Sequence, residues 1–129
     1  MIKENAGVVE YFNKEIQIIK NICKNFKINF SKADFNFLDI NDDISKMIIT
    51  LPLTKELLTE AYLLIFEIKT IENYCFKNLK GAYLDRLLEI KIGFMYEENE
   101  YYMAKFEGKY IDVSKIKKFI EKFIGIQQK

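Results

Sequence analysis

Between Leu88 and Tyr96 an apolar side chain falls on every second position: Leu88, Ile90, Ile92, Phe94 and Tyr96. Glu89, Lys91, Gly93 and Met95 lie between them. Neighbouring side chains of a strand point to opposite faces, so this register predicts one apolar and one mixed face. The polar run Glu97-Glu98-Asn99-Glu100 interrupts the alternation, which resumes with Tyr102, Ala104 and Phe106 on one side and Tyr101, Met103 and Lys105 on the other. A hairpin with a loop of about four residues is expected. After Gly108-Lys109, the segment Tyr110 to Val113 is short and apolar enough to return as a third strand.

The period differs nearer the N-terminus. Val8, Phe12, Ile16, Ile19, Cys23 and Phe26 recur at intervals of four and three, with Lys14, Gln17, Lys20 and Lys24 on the opposite side. This spacing predicts an amphipathic helix with one dry stripe. Beyond it, Ile28 and Phe30 alternate, as do Phe35 and Phe37, and the phase slips at Leu38-Asp39-Ile40. A β-bulge, two short strands or a strand that ends early would each produce that slip. Asn41-Asp42-Asp43 is turn chemistry, because these side chains accept hydrogen bonds from nearby backbone N–H groups. Met47, Ile49, Leu51 and Leu53 then predict a strand, with Pro52 marking an edge or the strand's end.

Leu57, Ala61, Leu64, Ile68, Ile71 and Cys75 again follow four-three spacing, with Thr54 as a candidate N-cap and Gly81 or Asn78 as a stop. Leu58, Tyr62, Leu63, Ile65 and Phe66 add apolar surface around the same segment. This predicts a long second helix, apolar nearly all round, and so covered on more than one side. A last helix is expected after Ser114, with Ile116, Phe119, Ile120, Phe123 and Ile124 on one face, and Gly125 at its end.

These elements predict a single α+β domain over residues 1–129: an antiparallel sheet of about five strands with three helices, in the order α-β-β-α-β-β-(β)-α. Half of the 129 residues are apolar, enough for one core, and no Gly/Pro/Ser-rich linker divides the chain. The element order is similar to that of small dimeric chaperones that hold secretion substrates, and to adaptor domains of the roadblock type. The similarity is one of architecture, and it implies a dimeric protein-binding module rather than any particular site.

Composition narrows the chemistry. The chain contains no His, which removes the commonest general base at neutral pH and the Ser-His and Cys-His pairs. Two distant cysteines cannot build a zinc site, and both Cys23 and Cys75 fall on expected core stripes, where they read as small buried hydrophobes in a reducing compartment. The five glycines do not cluster, so neither a phosphate-binding loop nor a dinucleotide fingerprint is present. Asp39-Ile40-Asn41-Asp42-Asp43 begins like a calcium loop, but Ile44 stands where that loop needs Gly, and Thr50 where it needs Glu. No catalytic residue, cofactor or metal is therefore expected.

Net charge is +1, and Arg86 is the only Arg. Global attraction to nucleic acid or to an anionic membrane is absent, and the N-terminal residues lack the apolar core of a signal peptide. A cytoplasmic protein with no membrane partner is expected. Charge does segregate: residues 1–32 sum to +3, 33–108 to −6 and 109–129 to +4. If the terminal helices share one side, Lys115, Lys117, Lys118 and Lys122 contribute to a basic face. Such a face could meet nucleic acid or be the ordinary solvated side of amphipathic helices.

The mixed face of the sheet offers a different surface. Met95, Tyr101 and Met103 share it, and Tyr and Met are enriched at protein interfaces. Either a helix of the same chain covers this face or a partner does. Tyr62 and Phe66 join the candidate surface through the apolar surplus of the second helix. The sequence thus points to a non-enzymatic binding protein acting through a sheet face or apolar groove, with a homodimer as the expected assembly. The alternatives are a small inhibitor or immunity protein, possibly of phage origin, and a nucleic-acid-binding protein using the lysine face.

Overall fold

The computed structural model describes residues 10–53 and 62–127. In chain order the elements are α1 (Asn13–Asn25), a 3-10 turn (Phe30–Lys32), β1 (Asp34–Asp39), β2 (Ile44–Pro52), β3 (Leu63–Asn78), β4 (Gly81–Tyr96), β5 (Asn99–Gly108) and α2 (Val113–Gln127). The class is α+β. The five strands form one antiparallel sheet in sequential order, each pairing with its neighbour in sequence.

Residues 63–78 overturn the expected second helix, and Thr54 to Ala61, its expected first turns, lie outside the described residues. Leu64, Phe66, Ile68 and Thr70 are fully buried on one face of β3, while Leu63, Ile65, Glu67 and Lys69 alternate on the other. The helical stripe contained Leu64 and Ile68, four apart, and an interval of four is also even. Leu64 and Ile68 therefore satisfy both periods, whereas Ile71, three further on, falls on the other face with Leu63 and Ile65. β-Branched Ile65, Ile68, Thr70 and Ile71 tip the balance toward a pleated strand. Asn78 and Gly81 are not helix stops but flank the β3–β4 turn, where Asn78 Oδ1 accepts from the Lys80 N–H at 2.8 Å and Gly81 takes φ +134°. Two described helices replace the expected three, and the described elements run α-β-β-β-β-β-α rather than α-β-β-α-β-β-(β)-α.

Both helices lie against the same face of the sheet. The core joins Phe12, Ile16, Ile19, Ile22 and Cys23 of the N-terminal segment to Met47, Ile49, Leu51, Leu64, Phe66, Ile68, Ile90, Ile92 and Phe94 of the sheet, and to Ile116, Ile120 and Phe123 of α2. Phe94 stacks on Phe123 with centroids 3.6 Å apart. From Asn13 to Asn25 the first helix is as the sequence predicts, as is the alternation of β2, β4 and β5; Val8, the helix's first expected apolar position, lies outside the described residues.

Several local expectations change. The phase slip at Leu38 to Ile40 is a strand that ends early, since β1 pairs regularly only from Asp34 to Asp39. Pro52 closes β2 beyond the last β1 pair, Asp34 with Thr50. The acidic stretch is a hairpin turn: Asn41 Oδ1 accepts from the N–H groups of Asp43 and Ile44. Glu97 and Glu98, both at positive φ (50° and 68°), form a two-residue turn, so Asn99 and Glu100 belong to β5. Tyr110 to Val113 is not a strand. Asp112 takes the capping role expected of Ser114, its Oδ1 accepting from the Lys115 N–H at 3.2 Å. Gly125 lies inside α2 rather than at its cap.

Candidate functional site

The face of the sheet turned away from the helices is left uncovered by any described helix. Cross-strand register arranges its side chains in rows. One row reads Pro52, Leu63, Met95, Glu100, and the next reads Asp34, Thr50, Ile65, Gly93, Met103. The two central rows are charged: Asn36, Ile48, Glu67, Lys91, Lys105, and Leu38, Lys46, Lys69, Glu89, Glu107. Ile44, Ile71 and Leu87 close the face at the far end.

This geometry brings Met95 and Met103 together around Gly93, in a small recess of about 40 Å³ that Ile65, Glu67, Lys91 and Glu100 complete. A Cβ at Gly93 would approach Met103 Cγ to 3.2 Å, so the missing side chain is what lets the methionine lie across the strand. Met103 is 40% exposed and Leu63 39%. Of Tyr101 only the backbone is described, paired with Phe94 just past a bulge where Tyr102 takes φ 45°. Tyr62 and Phe66 lie elsewhere. Phe66 is fully buried beneath the sheet, and Tyr62, 9% exposed, packs on Phe123 at 5.1 Å and on Tyr96 at 5.3 Å. Both serve the core rather than the open face, because the segment that carries them is strand or its approach, not a helix with a second greasy side.

The charged rows are cross-linked within the chain. Lys46 Nζ lies 3.7 Å from Glu67 Oε1, and Lys105 Nζ lies 3.3 Å from both Glu89 and Glu107. Those carboxylates raise the Lys105 ammonium's pKa, Glu107 first and Glu89 next, through hydrogen bonds. Lys69 and Lys91 engage no carboxylate among the described residues.

A second surface comes from the far ends of β3 and β4. At the Ile71/Tyr74 register shift Asn73 adopts φ 56°, and the β1–β2 turn docks there through Glu72 N–H to Asp43 O at 2.7 Å. Beyond it the two strands run on as a ribbon past the rest of the sheet. Tyr74, Leu79, Tyr83 and Leu84 are exposed on it, and so is Cys75, contrary to its expected place in the core. Phe76 stacks on Tyr83 at 5.4 Å, and Lys109 Nζ sits 4.4 Å from the Tyr83 ring centre. The concavity beside this ribbon measures about 680 Å³ and is lined by Tyr74, Phe76, Leu87 and Glu107 among others; it is wide open.

At the ribbon's base is a polar network that the sequence did not announce. Arg86 Nη2 lies 3.2 Å from Glu15 Oε1, its guanidinium stacks 5.0 Å from the Tyr11 ring centre, and Tyr11 donates to Thr70 Oγ1 at 3.0 Å or to Glu72. Burial, then the Glu72 hydrogen bond, raises the Tyr11 phenol's pKa. The one available signal was that the chain's single Arg lies at the mouth of an apolar strand. The network is a structural clasp between the N-terminal helix and the sheet; it opens onto no deep cleft, the adjoining recess measuring about 110 Å³.

Lys115, Lys117, Lys118 and Lys122 project from the outer side of α2, where Lys115 pairs with Asp112 at 3.9 Å. Because α1 and α2 cover the same sheet face, their lysines do share one side of the molecule. Among the described residues no group of three or more Cys, Asp or Glu is placed to hold a metal ion, and no helix is long and apolar enough to cross a membrane. No family model, curated protein or solved structure matches this chain.

Proposed function

We propose that the chain is a non-catalytic protein-binding module that acts through the open face of its sheet. The observation that carries this reading is the half-exposed apolar corner of Leu63, Ile65, Met95 and Met103, set beside two rows that mix Lys and Glu. An apolar patch rimmed by paired charges is the anatomy of a protein interface. The rows carry four Lys and three Glu, and Asp34 and Glu100 stand at the corners, so the face is close to neutral. Such a surface favours a protein partner over a polyanion, whose binding draws on concentrated positive charge. A homodimer is the simplest assembly consistent with this reading.

A photo-crosslinking residue placed at Met103, with a control at Lys24 on the outer side of α1, tests the proposal. The expected result is a protein adduct from position 103 that Ile65→Arg abolishes, and none from position 24. Equal labelling from the two positions, or adducts that survive Ile65→Arg, would rule the open face out.

A further inference from the structure

We propose that the occupant of the open face is the same face of a second copy of this chain, related by a two-fold axis lying in the plane between the two sheets. The inference rests on the reading of this face as a protein-binding surface and names its partner. Its basis is the order of charges in the two central rows.

A closed two-fold interface must be self-complementary, residue i meeting j while j meets i. Across β3, β4 and β5 the first row reads Glu67, Lys91, Lys105; across β2 to β5 the second reads Lys46, Lys69, Glu89, Glu107. With the axis parallel to the strands, between β3 and β4, each row folds back on itself. Lys69 then faces Glu89 of the second copy, Lys46 faces Glu107, and Glu67 faces Lys91. With the axis running across the strands, between the two rows, one row lies over the other. Glu67 then faces Lys69, Lys91 faces Glu89, and Lys105 faces Glu107. Both in-plane directions set every central Glu against a Lys of the second copy. An axis directly over β3 or over β4 would instead bring Glu67 or Lys91 onto itself.

Two further observations point the same way. Lys69 and Lys91, which engage no carboxylate among the described residues, acquire one under either direction. Packed sheets lie about 10 Å apart, a gap that a Lys and a Glu reaching from opposite sides can span. The area is of the right order. With the axis along the strands β2 to β5 overlap, and with the axis across them all five strands do; at about 4.8 Å per strand and eight residues rising about 3.3 Å each, the overlap projects to about 19–24 by 26 Å. Side-chain relief raises the accessible area above that projection, toward the roughly 800 Å² per partner of a standard interface.

Sedimentation or light scattering of the full chain and its charge variants tests the proposal. The wild type is expected to be a dimer. Lys69→Glu, Glu89→Lys and Glu67→Lys should each weaken it about a hundredfold, since each sets like charges together at two symmetric places. Circular dichroism should show all three still folded. Mixing supplies the decisive reading, because contacts within one chain cannot be repaired by adding another chain. With the axis along the strands, Lys69→Glu mixed with Glu89→Lys restores a heterodimer. With the axis across them, Lys69→Glu mixed with Glu67→Lys does so. A wild-type monomer, or failure of both mixtures, would overturn the inference. A monomer whose position 103 still crosslinks to another protein leaves the binding face standing with a different occupant. A dimer indifferent to every substitution on this face would remove both readings.

Discussion

Glu15 of α1 and Arg86 of β4 meet at 3.2 Å across 71 positions of sequence, and the carboxylate is almost wholly buried, at 4% exposure. The guanidinium also lies 3.7 Å from Glu72, too far for a hydrogen bond, and its Nε makes none. Among the described residues, Arg86 is the one charged partner of Glu15. Arg86→Ala should destabilise the fold by about 3 kcal/mol, the lower end for a broken buried pair because the arginine keeps some water contact. Replacing both residues with apolar ones, Glu15→Leu with Arg86→Met, should recover most of that loss in urea unfolding. If Arg86→Ala costs under about 0.5 kcal/mol, as an ordinary surface change does, the clasp contributes nothing.

The two sheet faces should respond in opposite ways to truncation. Phe94 stacks between Phe119 and Phe123, so Phe94→Ala is expected to cost about 3–5 kcal/mol. Met103→Ala on the open face should change the stability of the dilute protein by less than about 0.5 kcal/mol. Comparable losses at both sites would mean that the outer face is packed by something other than a partner.

The two thiols should differ in reactivity and in their effect on pH dependence. Cys75 is exposed on the ribbon and should react with a maleimide in the native protein. Cys23 should react only on unfolding, since burial pushes its pKa from 9.0 up to about 12. The folded state holds that proton more tightly than the unfolded chain. Its contribution to stability is therefore complete below pH 9 and lost between pH 9 and about pH 12. The raised Tyr11 phenol acts in the same direction above pH 10. A Cys23→Ala variant should show a shallower alkaline decline in urea titrations.

Glu97 and Glu98 hold positive φ with side chains ill suited to it. A two-residue hairpin turn of this kind favours Asn-Gly. Glu97→Asn with Glu98→Gly should therefore raise stability by about 1 kcal/mol. An unchanged or lowered unfolding midpoint would argue against this turn geometry.

The strands of the second hairpin were legible because strict alternation over Leu88 to Tyr96 admits no helical reading. So was the first helix, whose four-three spacing includes odd intervals that a strand would place on opposite faces. β3 was not, because Leu63, Ile65 and Ile71 on one face and Leu64, Phe66 and Ile68 on the other let a four-three stripe be drawn across both faces, as on a helix that is greasy all round. The open face followed from that correction. A middle helix could have covered it, whereas a middle strand enlarges it. Met95 and Met103 were legible from register alone. Tyr62 and Phe66 were not, because their placement depended on the element that changed. The Glu15–Arg86 clasp joins distant segments and leaves no local period to detect.

The sequential order of the five strands carries a consequence for how the chain acquires its form. Every sheet pairing joins strands adjacent in sequence, and two of the connections are two-residue turns, Glu97–Glu98 and the Leu79–Lys80 turn that joins the two longest strands. Chain closure of that kind sacrifices little entropy, so pairing can begin there and zip outward before the termini arrive. The long excursion belongs to the helices, which come from opposite ends of the chain to seal one side. Assembly that starts in the central ribbon leaves both flat surfaces wet until late, and the described helices close only one of them.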